Sequence, residues 1–367
     1  MVPDFDLAVG RASLDICLIF AEHRTLTHGQ TSLEALPVSL RGDLHMKRFT
    51  RPWGVAAALA LAVPAILLGA PAAHADPVSQ TSGFYVDPNS SPARWAAANP
   101  GDGRAAAIRT EIAQKPMARW FGNWSGDIGS AVGSYVGAAD AVDKLPLLVA
   151  YNLPGRDACG GHSGGGAGSV AAYDSWIASF ASAIGSRPAV VVLEPDSLGD
   201  FNCMSQAQIN DRVGMLSRAV GQFRSRAANT WVYIDAGNPR WVDAQTMAQR
   251  LNMAGVRNAR GFALNVSNYF TTGENTNYGN QVASALQRFG YSKPYVIDTS
   301  RNGNGSNGQW CNPGGRRIGT PSRMGGGGEM LLWLKTPGES DGNCGVGGGS
   351  SAGQFLPEVA YKMIYGY

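Results

Sequence analysis

Seven carboxylates stand where they could do acid–base chemistry. Asp157, Glu194, Asp196, Asp235, Asp298, Glu339 and Asp341 each fall at or just after a short apolar run, and Trp120, Trp124, Trp241, Trp310 and Trp333 lie in or near the connecting loops. A carboxylic acid can protonate an acetal oxygen while a second carboxylate activates water. Indole faces stack on the C–H surfaces of pyranose rings. Any one tryptophan is better explained as core, because large aromatics dominate interiors. Carboxylates and aromatics together describe a sugar cleft.

Other chemistries fare worse. Gly161-His162-Ser163-Gly164-Gly165 matches the G-x-S-x-G elbow of serine hydrolases. Of the five histidines, however, only His162 follows residue 75, and it is adjacent to Ser163 instead of arriving from a separate loop as a triad base does. The same shortage of histidine argues against a metal site of the usual zinc kind. No Gly-rich phosphate loop follows a strand, so no cofactor is expected. With 30 Lys+Arg against 27 Asp+Glu and no basic run in the main body, nothing favours nucleic acid.

The elements that must position these groups are legible in outline. The runs Leu147–Ala150, Ala189–Leu193, Trp231–Ile234, Gly261–Leu264, Tyr295–Ile297 and Leu331–Leu334 are too short for buried helices and suit strands covered on both faces. Amphipathic stretches at Ala171–Gly185, Ser205–Arg226, Ala244–Met253 and Asn280–Phe289 separate them. Strands alternating with helices predict a parallel α/β sheet. Each run ends in a polar residue: Asn152 after Tyr151, Glu194, Asp235, Asn265, Asp298 and Lys335. A polar residue can simply mark where a strand stops. Six in succession suggest the shared cleft that parallel barrels build at that face.

Met46-Lys47-Arg48 with Arg51, the apolar Val55–Leu68 and the small-x-small Ala73-His74-Ala75 read as a signal peptide over residues 46–75, with Met46 as initiator and residues 1–45 an untranslated or disordered leader. Removing both takes equal numbers of acidic and basic side chains, so the net charge of +3 is kept. It also removes Cys17. Cys159, Cys203, Cys311 and Cys344 remain, an even set that reads as two disulfides in an exported chain, with three pairings open. A short linker, 76–82, would lead into one domain, 83–367.

The ordered blocks Tyr151-Asn152-Leu153-Pro154-Gly155-Arg156-Asp157, Leu193-Glu194-Pro195-Asp196, Tyr233-Ile234-Asp235-Ala236-Gly237, Asn265-Val266-Ser267-Asn268-Tyr269, Asp298-Thr299-Ser300-Arg301-Asn302-Gly303 and Leu334-Lys335-Thr336-Pro337-Gly338-Glu339-Ser340-Asp341 resemble those of glycoside hydrolase family 6, the cellulases, from about Gly83 to Tyr367. The resemblance implies a distorted, TIM-like, seven-stranded parallel β/α barrel and inverting hydrolysis of β-1,4-glucosidic bonds. It assigns Asp196 as general acid, Asp157 to the water or the tuning of that acid, Asp235 as a neighbouring carboxylate and Asp341 as base. Tyr151 would crowd the ring at the cleavage subsite and Ser163 position water, while Trp120, Trp241, Asn268, Trp333, Lys335 and Glu339 would contact sugar. It pairs Cys159 with Cys203 and Cys311 with Cys344. Two departures stand out: Ala158 intervenes between Asp157 and Cys159, and Asn238 stands where relatives often carry histidine.

The segments Leu198–Cys203 and Gly342–Gly353 are short, and the latter is Gly/Ser-rich, which predicts an open cleft, endo action and a mobile loop in place of a roof. The expectation is therefore a secreted, monomeric endo-β-1,4-glucanase acting on glucan, with no membrane association after signal cleavage. Three alternatives are a chain-end-acting cellobiohydrolase, a retaining enzyme using Glu194 or Glu339 as nucleophile, and a non-catalytic glucan binder.

Overall fold

The computed structural model describes residues 76–160 and 163–367; the leader and signal peptide expected over 1–75 lie outside the described residues. The apolar runs form strands: β1 (Arg119–Phe121), β2 (Leu147–Ala150), β3 (Ala189–Leu193), β4 (Thr230–Asp235), β5 (Gly261–Leu264), β6 (Tyr295–Asp298), β7 (Arg323–Met324) and β8 (Met330–Leu332). Their order is β1-β2-β3-β4-β5-β6-β8-β7. Every pairing is parallel except that of β7 with β8. Seven parallel strands thus curl around a core, with a two-residue antiparallel strand added at one edge. The sheet does not close by a ladder. Between β1 and β8 the Ala118 N–H donates to the Trp333 carbonyl (2.8 Å) and the Trp120 indole N–H to the Leu334 carbonyl (2.6 Å), which makes a seam and distorts the barrel.

Burial on both faces explains the continuous apolar runs. Leu147, Val149, Val190, Val192, Tyr233, Val296, Met330 and Leu332 share the inner cluster. Their neighbours Leu148, Ala150, Val191, Leu193, Val232, Ile234 and Ile297 pack outward with Ile177, Phe180, Leu216, Val220 and Leu251, as a period of two requires. β1 was not visible as an apolar run because only its last residue, Phe121, is fully buried.

The helices are α1 (Ser91–Ala98), α2 (Ala105–Ile108), α3 (Ile128–Asp140), α4 (Val170–Ile184), α5 (Gln206–Arg226), α6 (Ala244–Met253), α7 (Thr272–Leu286) and α8 (Pro357–Tyr365). Side chains that accept otherwise orphaned N–H groups set their starts: Asp127, Ser169 and Asp243 cap α3, α4 and α6. Ser205 with Gln208 and Thr271 with Glu274 form capping boxes on α5 and α7. α7 begins eight residues before the apolar pattern predicts. Its first two turns are polar, so the capping box marks the start and periodicity does not.

The disulfides are Cys159–Cys203 and Cys311–Cys344, with Cα atoms 5.2 and 5.9 Å apart, the pairing the resemblance implied. Because they link residues 44 and 33 positions apart, reduction is expected to cost about 2–5 kcal/mol for each bond lost. Urea unfolding with and without reductant measures this. Thiol titration of the denatured, unreduced chain from Asp76 onward should find no free thiol, and two or more would contradict the pairing.

Candidate active site

Where the strands stop, loop N–H groups face inward and need acceptors. Glu194, at the end of β3, accepts from the N–H of Asn152 (2.8 Å) and Leu153 (3.0 Å), just past β2. Asp235, the last residue of β4, accepts through Oδ2 from the N–H of Asp196 (2.9 Å) and Gly237 (3.1 Å). Asp298, ending β6, takes the N–H groups of Ser267, Ser300, Leu334 and Lys335 at 2.9–3.2 Å. Asn265 after β5 accepts from Phe270 N–H (3.1 Å) and donates to the Asp298 carbonyl (2.8 Å). Each side chain fastens its own strand to a neighbouring loop. The backbone there is tightly constrained: Asp157, Glu194, Asp196, Asn265 and Ser267 all have φ between 51° and 67°, a region that costs a non-glycine residue energy and persists where the surroundings enforce it.

These contacts bear on Glu194 as the nucleophile of a retaining enzyme. Glu194 is 1% exposed and both its oxygens accept from backbone, so it is a clamp and not a nucleophile. Burial raises its pKa from 4.5 to about 7, partly offset by the N–H groups of Leu153 and Asn152.

Asp196 and Asp235 form a coupled pair. Burial, then the carboxylates of Asp235, Asp200, Asp157 and Asp341, push the Asp196 pKa well above 3.8. Burial likewise lifts Asp235 to about 7, against backbone N–H groups that favour its anion. Donors converge on Asp235, while the Asp196 carboxyl accepts no hydrogen bond among the described residues. Of the two, Asp235 is the one whose anion the backbone stabilises, while neighbouring carboxylates add to burial in raising Asp196.

Asp157 meets Ser163 on the far side of the same loop. Its Oδ2 accepts from the Ser163 N–H (2.6 Å) and hydroxyl (3.4 Å), and the Tyr151 hydroxyl donates to Ser163 Oγ (3.3 Å). The Arg156 guanidinium stacks on Tyr151 (4.5 Å) and donates to the carbonyls of Ser163 (2.7 Å) and Tyr151 (3.0 Å), which folds the loop over the end of β2.

Asp341 is differently placed. Arg301 Nη1 donates to both its oxygens at 3.0 Å, the Tyr269 hydroxyl and the Asn312 N–H reach Oδ2 at 3.1 Å, and Lys335 Nζ lies 3.8 Å from Oδ1. Arg301 is 1% exposed. Burial alone would lower its pKa, but Asp341 leads the groups that raise it overall, so the pair is a buried ion pair with most lone pairs occupied.

Among the aromatic residues, Trp241 is 39% exposed and lies on glycine backbone: a Cβ on Gly199 would stand 2.1 Å, and on Gly237 3.2 Å, from its indole. Trp120 meets Tyr151 edge-on at 5.3 Å, beneath Lys335 Nζ at 5.7 Å. Trp333 corrects an expectation. It is fully buried with Ile108, Ile112, Met117 and Ala360, and its indole N–H donates to the Thr320 carbonyl (2.9 Å), so it is core and cannot touch sugar. Glu339 accepts from Ser91 Oγ (2.6 Å), Asn268 is half-buried, and Asn238 accepts from the Arg240 N–H (3.1 Å) within its own loop.

Sequence reasoning missed Arg301, Tyr269 and Asn312, although the first two lie inside quoted blocks and the third follows Cys311. A fully buried arginine is invisible to composition; only its carboxylate partner reveals it. The stretch from Gly342 to Gly353 is anchored at one point. Two of its glycines serve close packing, because a Cβ on Gly345 or Gly347 would lie 2.3 Å from Asn312, while Gly342, Gly349 and Gly353 meet nothing within 4 Å. Two cavities of about 240 Å³ lie away from these groups, one against α8 and one lined by Arg224, Arg257, Arg260 and Lys293. Among the described residues no cluster of three or more metal-type ligands occurs, and no helix is long and apolar enough to cross a membrane.

The sequence model for glycosyl hydrolases family 6 matches residues 79–365. Endoglucanase 1 of Streptomyces halstedii is 70% identical over 308 residues, covering 83% of this chain and 96% of the relative. Endoglucanase A of Cellulomonas fimi is 47% identical over 291 residues, 77% of this chain and 61% of its own length. The endoglucanase Cel6 of Mycobacterium tuberculosis, solved in complex with methyl-cellobiosyl-4-deoxy-4-thio-β-D-cellobioside, superposes with a TM-score of 0.72 at 38% identity, over 80% of this chain and 99% of that one.

Glu194 and Asp235 carry folded pKa values of about 7 against 4.5 and 3.8, so the folded state holds these protons more tightly than the unfolded chain. Their contribution to stability is full below the unfolded values and is lost as pH rises through about 7. Chemical unfolding from about pH 5 to about pH 8 should therefore show a falling free energy. Glu194→Gln should flatten part of that fall. A free energy that is constant or rising across the range would contradict the assignment.

Proposed function

Since the chain belongs to glycosyl hydrolases family 6, we propose that it is an endo-β-1,4-glucanase that cleaves internal bonds of cellulose or a related β-glucan with inversion, and that Asp196 is its proton donor. The observation that carries this is the Asp196–Asp235 pair. A strand-end carboxyl that burial and neighbouring charge keep protonated is what a glycosidic oxygen needs at near-neutral pH. In the single displacement, water attacks the anomeric carbon as the bond to the leaving oxygen breaks, and Asp196 gives that oxygen its proton. The water's proton passes by way of Ser163 Oγ to Asp157, which the hydroxyl contacts directly. Asp341 is fixed by Arg301, Tyr269 and Asn312, and its carboxylate stabilises the developing oxocarbenium charge. Tyr151, wedged between Arg156 and Trp120, crowds the ring undergoing cleavage. Trp120, Trp241, Asn268, Lys335 and Glu339 bind neighbouring sugars.

Endo action is supported by the names of the relatives and by short loops. From Leu198 the chain makes one 3₁₀ turn, Phe201–Cys203, and enters α5 directly, while the Gly342–Gly353 stretch folds back on Asn312. Neither supplies a roof over a tunnel. Export is supported by the two disulfides and by the signal-like residues 46–75; we take the mature enzyme to be an extracellular monomer acting without a cofactor.

Asp196→Asn should lower turnover on unactivated β-glucan by about 10²–10⁴-fold; near-parental turnover would show that the acid lies elsewhere. NMR of the first product should find the α-anomer, and the β-anomer would mean retention. The viscosity of a soluble cellulose derivative should drop early relative to reducing ends, whereas a slow drop with cellobiose dominant would mean chain-end action. Gly199→Ala, which touches no sugar in this account, should displace Trp241 and raise KM severalfold while sparing kcat. An unchanged KM would remove Trp241 from the binding surface.

A further inference from the structure

The segment that closes the Cys311–Cys344 disulfide is built around Asn312. This residue is 3% exposed and has φ +41°. Its backbone N–H donates to Asp341 Oδ2 (3.1 Å), and its side-chain Oδ1 accepts from the Asp341 N–H (2.8 Å), a reciprocal pair that fixes both ends of the aspartate. Its Nδ2 donates to the carbonyls of Gly342 (2.8 Å) and Cys344 (3.1 Å) and to Ser340 Oγ (3.1 Å). Its own carbonyl accepts from the Val346 N–H (2.9 Å). Gly345 and Gly347 must be glycine for the chain to pass this close. Every donor and acceptor of Asn312 is thus spent on the turn that presents Asp341, and the disulfide ties the two segments together on either side.

We propose that Asn312 is a positioning residue for the hydrolytic step, holding the Asp341 carboxylate at one place and angle within the cleft. The inference rests on the reading of Asp341 as a participant in hydrolysis. Arg301 and Tyr269 supply charge and a hydroxyl to Asp341 but do not touch its main chain. Among the described residues Asn312 alone grips both main chain and carboxylate, so it decides where the carboxylate stands.

Asn312→Gly is the informative variant, because glycine accepts φ +41° and keeps the backbone N–H while losing the amide. The expected result is folded protein with KM within about twofold of the parent and kcat lower by about tenfold to a hundredfold, the scale of loss when a reacting group is displaced by about an ångström. Activity is normalised to the folded fraction measured by near-ultraviolet circular dichroism. The same fall should appear on β-cellobiosyl fluoride, whose leaving group needs no proton, whereas Asp196→Asn should recover on that substrate. If Asn312→Gly does not fold, the isosteric Asn312→Asp carries the same readouts, with its carboxylate set against the carbonyls the amide now serves. Asp341→Asn is measured in parallel. Should Asp341→Asn keep its kcat, the reading of Asp341 fails and takes the inference with it. Should Asp341→Asn lose kcat while a folded Asn312 variant keeps it within twofold, positioning by Asn312 alone is overturned.

Discussion

Buried backbone N–H groups at the ends of parallel strands must find acceptors, and much of this protein follows from how that need is met. Water cannot reach them, and leaving them unpaired would be costly. Glu194, Asp235, Asn265 and Asp298 supply the acceptors from the strand ends themselves. Burying carboxylates is unfavourable in its own right, and the penalty emerges as raised proton affinity. Scaffolding and raised proton affinity meet at Asp235, which holds the loop after β3 and, after burial, is the carboxylate that most raises the Asp196 pKa.

The other half of the site solves the opposite problem. Asp341 is surrounded by donors and positive charge from Arg301, Tyr269, Asn312 and Lys335. One side of the cleft thus raises the proton affinity of Asp196 and Asp235, and the other pairs the Asp341 carboxylate with arginine. Environments that push like groups apart in this way let a single residue type serve several roles.

How much of this is legible in the sequence depends on the range of the cause. Strands buried on both faces announce themselves locally as apolar runs, and six of the seven parallel strands could be placed from that signal. β1 could not, because Arg119-Trp120-Phe121 is a strand only by virtue of pairing with β2. The carboxylates at strand ends were found from position, and family likeness gave their roles. Trp333 was misplaced because it lies two residues before Lys335, just ahead of a block that reaches the cleft, and only the packing of α2 and α8 against it shows which way it faces. Arg301 and Asn312 escaped because their meaning is a contact with Asp341, about 30 to 40 residues further along the chain.

The unladdered seam between β1 and β8 has a geometric consequence. In a fully closed barrel, strand number and shear together fix the radius. Here two hydrogen bonds, from Ala118 and Trp120 to the carbonyls after β8, replace a ladder, and the circumference loses that constraint. The spacing between the loops on either side becomes a free dimension, adjustable by side-chain volume at Trp120 or Leu334 without shifting the register of any other strand pair. A scaffold with such a slack variable can be refitted at the seam while the carboxylates at its other strand ends stay where they are.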